Sequence, residues 1–197
     1  MTEKSSPRVG IEEFLKGLQG LRDFGSEFVF PYIKDHPLEA ESLSPFLFFS
    51  PTSYTRNLVF QNESFEVLAL CWEVGQVSRV HNHRDQQCWM AVTMGRLKNQ
   101  NYRVLDHNPE KLTCRMEPTR IFVITPTAPL EVDPQEPVHQ VLNLTEYGER
   151  AVSLHVYSQP IPSCEVYLPN RGTYSDVDLH FTSEFGRLCD GEAAARP

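Results

Sequence analysis

Two histidines one residue apart, His81 and His83, stand in the stretch Val80-His81-Asn82-His83-Arg84-Asp85-Gln86-Gln87-Cys88-Trp89. On a β-strand side chains alternate between faces, so the two imidazoles point one way and Asn82 the other. Such a pair is a chelate suited to a borderline first-row metal: Fe(II), Ni(II), Cu(II) or Zn(II). Alone, the same pair serves equally as a turn cap beside a solvated side chain, so the choice falls to a third ligand. Of the seven histidines, His36 precedes Pro37 in a helix-ending turn and His107 sits in the turn-like Leu105–Glu110, which puts both at the surface. His139 opens the strand-like run His139–Leu144 and is the better third ligand. A set of two histidines and one carboxylate would draw its acid from Asp85 or Glu73.

A second row of chemistry-bearing residues lies in Ala151–Tyr157. Alternation places Ser153, His155 and Tyr157 on one face and Val152, Leu154 and Val156 on the other. If the polar face is interior, the three groups must bond each other or serve a site, because each unsatisfied group costs about 1–3 kcal/mol. They then read as a relay in which Ser153 orients His155, and His155 polarises the Tyr157 phenol. If the apolar face is interior, they form a solvent-facing stripe. Periodicity alone leaves both open.

The elements that must carry these groups change character along the chain. Residues 1 to 8 are polar and expected to fray. Ile11, Phe14, Leu15, Leu18 and Leu21 predict an amphipathic helix. Phe28, Val29, Tyr32 and Ile33 predict a second from about Ser26 to Asp35, ended by His36-Pro37. A further helical turn is expected near Leu38–Leu43. After Pro45, short runs punctuated by Gly, Pro and Asn predict strands over 54–60, 65–72, 77–81, 87–93, 95–104, 112–117, 120–126, 139–144, 151–158 and 165–168, with Met94-Gly95 a tight turn. No period of roughly 20 to 50 residues repeats, which argues against a solenoid or propeller. The expected class is all-β: a jelly-roll β-barrel with a small N-terminal helical cap, closed on itself and able to hold one small ligand.

With 197 residues, 40% hydrophobic and 22% charged, the chain is expected to be a single domain with a full core. Its net charge of −8 argues against nucleic acid or an anionic membrane as partner. No apolar run is long enough to span a bilayer, and the start lacks the apolar stretch of a signal peptide, so a cytoplasmic location is expected. The five cysteines are widely spaced and odd in number, which argues against a disulfide framework. Cys71 and Cys114 read as buried apolar side chains, Cys164 as structural, and Cys189 as a thiol in a flexible tail. Trp72 and Trp89 read as core or pocket wall, His180 as a surface or tail residue.

Taken together, His81-Asn82-His83-Arg84-Asp85-Gln86-Gln87-Cys88, the row Ser153–Tyr157, Tyr54-Thr55-Arg56-Asn57 and Leu70-Cys71-Trp72 resemble cysteine dioxygenase, the mammalian-type thiol dioxygenase of the cupin superfamily. The resemblance runs from about Tyr54 to Cys164, allows Cys164 a place near the pocket, and weakens in the helical start and around His180–Gly186. It implies a cupin barrel (cap over 1–45, barrel over 46–170, C-terminal strand and tail over 171–197). It also implies mononuclear non-haem Fe(II) and O₂-dependent oxidation of a thiol to its sulfinic acid. By resemblance the metal ligands are His81, His83 and His139, three neutral imidazoles in place of a carboxylate set. Arg56, beside Tyr54, holds the substrate carboxylate, and Ser153, His155 and Tyr157 form the relay. Cys88 and Tyr157 occupy both places of a thioether crosslink.

The chemistry agrees with these residue types. Three neutral ligands leave an Fe(II) site net positive, which favours a bound thiolate. An arginine fork suits two carboxylate oxygens, a geometry lysine does not reproduce. The expected function is oxidation of L-cysteine by O₂ to cysteine sulfinic acid, by a monomer whose partners are the small thiol and O₂. The alternatives are a dioxygenase of 3-mercaptopropionate or another thiol carboxylate, against which Arg56 argues, and a metal-binding cupin without catalysis. Three departures from the family stand out. Gln87 replaces a histidine ahead of the crosslink cysteine. Ser158-Gln159-Pro160 replaces Ser-Pro-Pro, where a cis bond before Gln159 would cost about 2.5–4 kcal/mol, so a trans bond or a local rearrangement is expected. About one additional residue lies between the third ligand and the relay.

Overall fold

The computed structural model describes residues 7–190. Helices α1 (Ile11–Gln19) and α2 (Ser26–Asp35) come first, followed by a 3-10 segment at Ala40–Phe46. Thirteen strands follow among the described residues: β1 (Thr55–Gln61), β2 (Glu66–Trp72), β3 (Val80–His81), β4 (Cys88–Met94), β5 (Leu97–Asn108), β6 (Thr113–Ile124), β7 (Leu130–Glu131), β8 (Val138–Leu142), β9 (Ala151–Tyr157), β10 (Ser163–Leu168), β11 (Thr173–Asp178), β12 (Ser183–Glu184) and β13 (Arg187–Leu188). Seven form one sheet in the order β13-β12-β1-β2-β9-β4-β7, and six close as β10-β11-β6-β5-β8-β3. The jelly-roll class with a helical cap expected from the sequence is the class observed. None of the described helices is long and apolar enough to cross a membrane.

The seven-stranded sheet is buried on both faces, and this settles which way the Ser153–Tyr157 row points. Val67, Ala69 and Cys71 of β2 and Val152, Leu154 and Val156 of β9 pack against Phe14, Leu18, Val29 and Ile33 of the helices. The alternate residues, Leu68, Leu70 and Trp72 of β2 and Cys88, Met90 and Val92 of β4, face the barrel interior with Tyr157. All seven residues of β9 are buried. The helical cap takes the apolar stripe, so the polar one has only the interior to face. Trp89 ties the layers together by donating its indole N–H to Ser26 Oγ at the start of α2 (3.1 Å).

Several elements differ from expectation. The runs 112–117 and 120–126 are one strand, β6, because Pro118 falls beside a register shift opposite Gln100 and Tyr102, where a missing N–H is tolerated. The run 77–81 keeps only Val80–His81 as a strand, with Val77 in an isolated bridge to Leu142. His107 lies near the end of β5, stacked on Tyr174 with ring centroids 4.4 Å apart, and not in a turn. The C-terminal region expected as one strand and a tail holds three strands, and Cys189 donates its backbone N–H to Thr182, so it is tied down up to that residue. These strands carry no apolar alternation; β11 is fixed by antiparallel pairing with β10, and β12, which carries β13, by parallel pairing with β1.

Candidate active site

Strands β3 and β8 pair His81 directly with His139, and His83 follows two residues later. Their ligand nitrogens all lie within 4.8 Å of one another. His83 Nε2 and His139 Nε2 are 3.1 Å apart. Arg84 and Asp85 then both adopt positive φ, 50° and 63°, which ends the strand and turns the chain outward. Asp85 is therefore exposed, and Glu73 is held by an ion pair with Arg150. Neither carboxylate reaches the cluster.

Hydrogen bonds fix which nitrogen two of the rings turn inward. His81 Nδ1 meets the Arg79 carbonyl at 2.8 Å, and His139 Nδ1 meets Asn99 Oδ1 at 2.6 Å. Both partners accept only, so both Nδ1 atoms carry the proton and both Nε2 atoms present lone pairs. Asn99 is itself oriented by donating its amide to Asn101 Oδ1 (2.6 Å). Burial pushes His81 down to about 4, and holds His83 and His139 well below the ordinary imidazole range, with mutual repulsion adding to the effect. All three rings are neutral near pH 7.

This donor set fits a divalent cation. His139 Nε2 has no partner other than His83 Nε2, and His83 Nδ1 is buried with none. A metal–nitrogen bond of about 2.1 Å at a right angle separates two ligand nitrogens by about 3 Å, the spacing found between His83 and His139. The three histidines form a metal-binding site.

Beside it runs the β9 row. Trp72 Nε1 donates to Ser153 Oγ (3.0 Å), Ser153 Oγ meets His155 Nε2 (2.9 Å), and His155 Nδ1 meets Tyr157 Oη (3.3 Å). Burial pushes His155 down to about 3, so the ring is neutral and carries one proton. When Ser153 donates to Nε2, that proton lies on Nδ1 and bonds the phenol oxygen, and the phenolic proton is free to face the pocket. Burial and the neighbouring Cys88 raise Tyr157 well above the ordinary phenol value, so it stays protonated. Its ring lies 5.5 Å from that of His83. Cys88 is fully buried and directly opposite Tyr157 in the β4–β9 register.

Tyr54, Arg56, His81, His83, Tyr157 and Cys164 line one pocket. Tyr54 is stacked on Trp72 (4.4 Å, 15°). Arg56 lies over Phe181, and its Nε and Nη2 are buried without hydrogen-bond partners. Every site residue expected from the sequence thus gathers around this pocket or directly behind it. Two features escaped the sequence, the C-terminal wall and Asn99. Residues Val177–His180 and Thr182 form part of its wall, held by Thr182 N–H donating to the Arg56 carbonyl (2.7 Å). Cys164 lines the pocket, the place the resemblance allowed it, rather than standing apart as a structural thiol. Asn99 was overlooked, although Leu97, Asn99 and Asn101 alternate on one face of β5 and announce buried amides. At the departures from the family, the described peptide bonds are all trans. Ser158 is joined to the metal loop: Gln87 N–H donates to Ser158 Oγ and Ser158 N–H donates to the Gln87 carbonyl, each at 3.0 Å.

The family model described as cysteine dioxygenase type I matches residues 27–169. Cysteine dioxygenase type 1 of Danio rerio is 30% identical over 189 residues, covering 94% of this chain and 92% of that protein. The Homo sapiens protein of the same name is 32% identical over 139 residues, covering 70% and 67%. Among solved structures, an uncharacterised Klebsiella pneumoniae protein with a double-stranded β-helix domain is similar at a TM-score of 0.46 and 15% identity, covering 70% of this chain and 89% of that one.

Proposed function

The chain belongs to the cysteine dioxygenase type I family, and from that premise we propose that it oxidises L-cysteine with O₂ to cysteine sulfinic acid, using Fe(II) held by His81, His83 and His139. The observation that carries the reading is Arg56, whose buried Nε and Nη2 lack hydrogen-bond partners in the pocket that His81 and His83 also line. Buried guanidinium N–H groups without a hydrogen-bond acceptor are costly, and a ligand carboxylate offers the acceptors they need. When bound, iron would supply a positive centre for the thiolate and the site of O₂ activation. In the overall reaction both oxygen atoms go to sulfur, sulfur loses four electrons and O₂ gains them, so no external reductant is required.

The remaining roles belong to this chain's side chains. Arg56 grips the substrate carboxylate, with Tyr54 packed on Trp72 as its wall. Tyr157, protonated and bonded to His155, offers its hydroxyl to the carboxylate or to oxygen, and Ser153 holds His155 in register. The pocket positions the reactants, which is where much of the rate gain from such sites originates. Cys88 and Tyr157 are placed for a thioether between Sγ and the ring carbon beside the hydroxyl. Its formation would break the Cys88 S–H and that ring C–H bond, and the two electrons and two protons released would reduce O₂ to hydrogen peroxide. The same reading places the protein in the cytoplasm as a monomer.

The test is oxygen consumption and sulfinic acid formation with L-cysteine after Fe(II) reconstitution, run beside 3-mercaptopropionate and cysteamine. The expected order places cysteine first. A metal-loaded protein that consumes no oxygen with any of the three would overturn the enzymatic reading in favour of a binding module.

A further inference from the structure

Glu66 opens β2 on the face shared by Leu68, Leu70 and Trp72, a lone acid at the head of an apolar interior row. It is buried, with about 1% of its side chain exposed, and its Oε1 has no hydrogen-bond partner. The nearest cation is Arg56, whose Nη2 lies 3.9 Å away, close enough for charge attraction and too far for a hydrogen bond. Arg56 lines the pocket and Glu66 does not, so the guanidinium stands between the pocket and this carboxylate. The other groups facing Glu66 are Tyr157, opposite it on β9, Gln61, opposite it on β1, and the Ile161 backbone amide from the loop after β9. Tyr157 is held protonated. Arg56 is then the single charged group that Glu66 meets among the described residues.

We propose that Glu66 is a positioning and specificity-determining residue that sets the charge Arg56 presents to the substrate, so that binding of a thiol carboxylate is coupled to protonation of Glu66. The inference rests on the dioxygenase reading of the pocket. With Glu66 ionised, Arg56 is already paired, and an arriving carboxylate meets a neutral couple and a second negative charge behind it. With Glu66 protonated, the whole charge of Arg56 is directed at the substrate. Burial pushes Glu66 up to about 7, against the opposing pull of Arg56 and the Ile161 amide. A second carboxylate on Arg56 raises it further. Substrate binding at neutral pH therefore draws a proton from solution, and substrate carboxylates bind more tightly on the acid side of neutrality.

The test uses the Fe(II)-loaded protein, wild type and Glu66→Gln, with Glu66→Asn as a second neutral variant and Glu66→Asp as the one that keeps the charge. Two quantities are read: KM for L-cysteine from pH 6 to 8.5, and the protons exchanged on anaerobic cysteine binding, from calorimetry in buffers of different ionisation enthalpy. Wild type and Glu66→Asp should show KM rising by about tenfold across this range, with the change in KM rather than kcat. The neutral variants should lack that rise and take up fewer protons than wild type at pH 7.5. Neutral variants that keep the wild-type pH dependence and proton count overturn the proposal, as does a wild type whose KM does not rise. Absence of oxidation with every thiol would instead sink the dioxygenase reading, while the calorimetric comparison still decides the role of Glu66.

Discussion

Cys88 and Tyr157 stand directly opposite one another on antiparallel strands β4 and β9, both buried, with the Tyr157 ring also against His83. Facing positions in such a pair hold their Cβ atoms about 4.5–5.5 Å apart, within reach of a cysteine sulfur and a tyrosine ring. The pairing comes from the strand register and not from a loop, so the two groups are held together before any chemistry. Burial keeps the Cys88 thiol above its ordinary value, so it is no ready nucleophile by itself. Protein incubated with Fe(II), cysteine and O₂ should gain a species lighter by two hydrogens in intact-mass analysis. Cys88→Ala and Tyr157→Phe should both lack it, and its persistence in either would disprove the linkage.

Arg56 is the second element to test. A bidentate charge-assisted contact contributes roughly 1.5–3 kcal/mol per bond, so Arg56→Ala should raise KM for L-cysteine by about a hundredfold or abolish turnover. Arg56→Lys should recover only part of this, because a point charge does not present two parallel N–H groups. An unchanged KM in Arg56→Ala would remove the carboxylate clamp from the mechanism.

Asn99 reaches the metal only through His139. Losing its acceptor frees His139 Nδ1 and lets the ring tautomerise or rotate, and such outer partners typically account for 10–100-fold in metal affinity, that is about 10–100-fold here. Asn99→Ala should therefore release iron to a chelator at lower concentration than wild type, with His139→Ala losing it outright. Equal retention by Asn99→Ala and wild type would show that barrel packing alone orients His139.

Much of this site was legible because its residues obey the simplest period. His81 with His83, and Ser153 with His155 and Tyr157, are alternations of two, and alternation names a face. Which face is interior was not legible for β9, since the apolar and polar rows are equally regular. The answer depended on the helices, whose Phe14, Leu18, Val29 and Ile33 cover Val152, Leu154 and Val156. Glu66 could have been noticed as an acid in phase with Leu68, Leu70 and Trp72. Its pairing with Arg56 depends on β1–β2 register, which sequence does not state. The C-terminal wall was hard to read for a different reason: β11 is placed by its pairing with β10 and β12 by its pairing with β1, and backbone pairing leaves no side-chain pattern.

Ser153 supports two partners at once, accepting from Trp72 Nε1 and meeting His155 Nε2. Ser153→Ala leaves both buried nitrogens unpaired, at about 1–3 kcal/mol each. A lower urea midpoint should be accompanied by a shifted Trp72 fluorescence maximum and a reduced kcat. A variant with lowered kcat but wild-type stability would mean that water replaces the hydroxyl.

Glu66 also makes a prediction for stability that does not depend on substrate. Its folded value of about 7 lies above that of an unfolded glutamate, about 4.3, so the protonated form is the one favoured by folding. Below the unfolded value both states hold the proton and the contribution is fully present. Between the two values the folded state alone holds it, so stability falls as pH rises through this window and levels off above about pH 7. At about 1.4 kcal/mol per unit, the loss is on the order of 4 kcal/mol. Glu66→Gln, which never ionises, should be more stable than wild type at pH 8 and about equal to it near pH 4.5. Urea denaturation of the metal-free protein at both pH values measures this, and the contribution of the titrating histidines cancels in the difference between the two proteins. Parallel profiles for wild type and variant would mean that Glu66 is not held as a buried, proton-binding carboxylate.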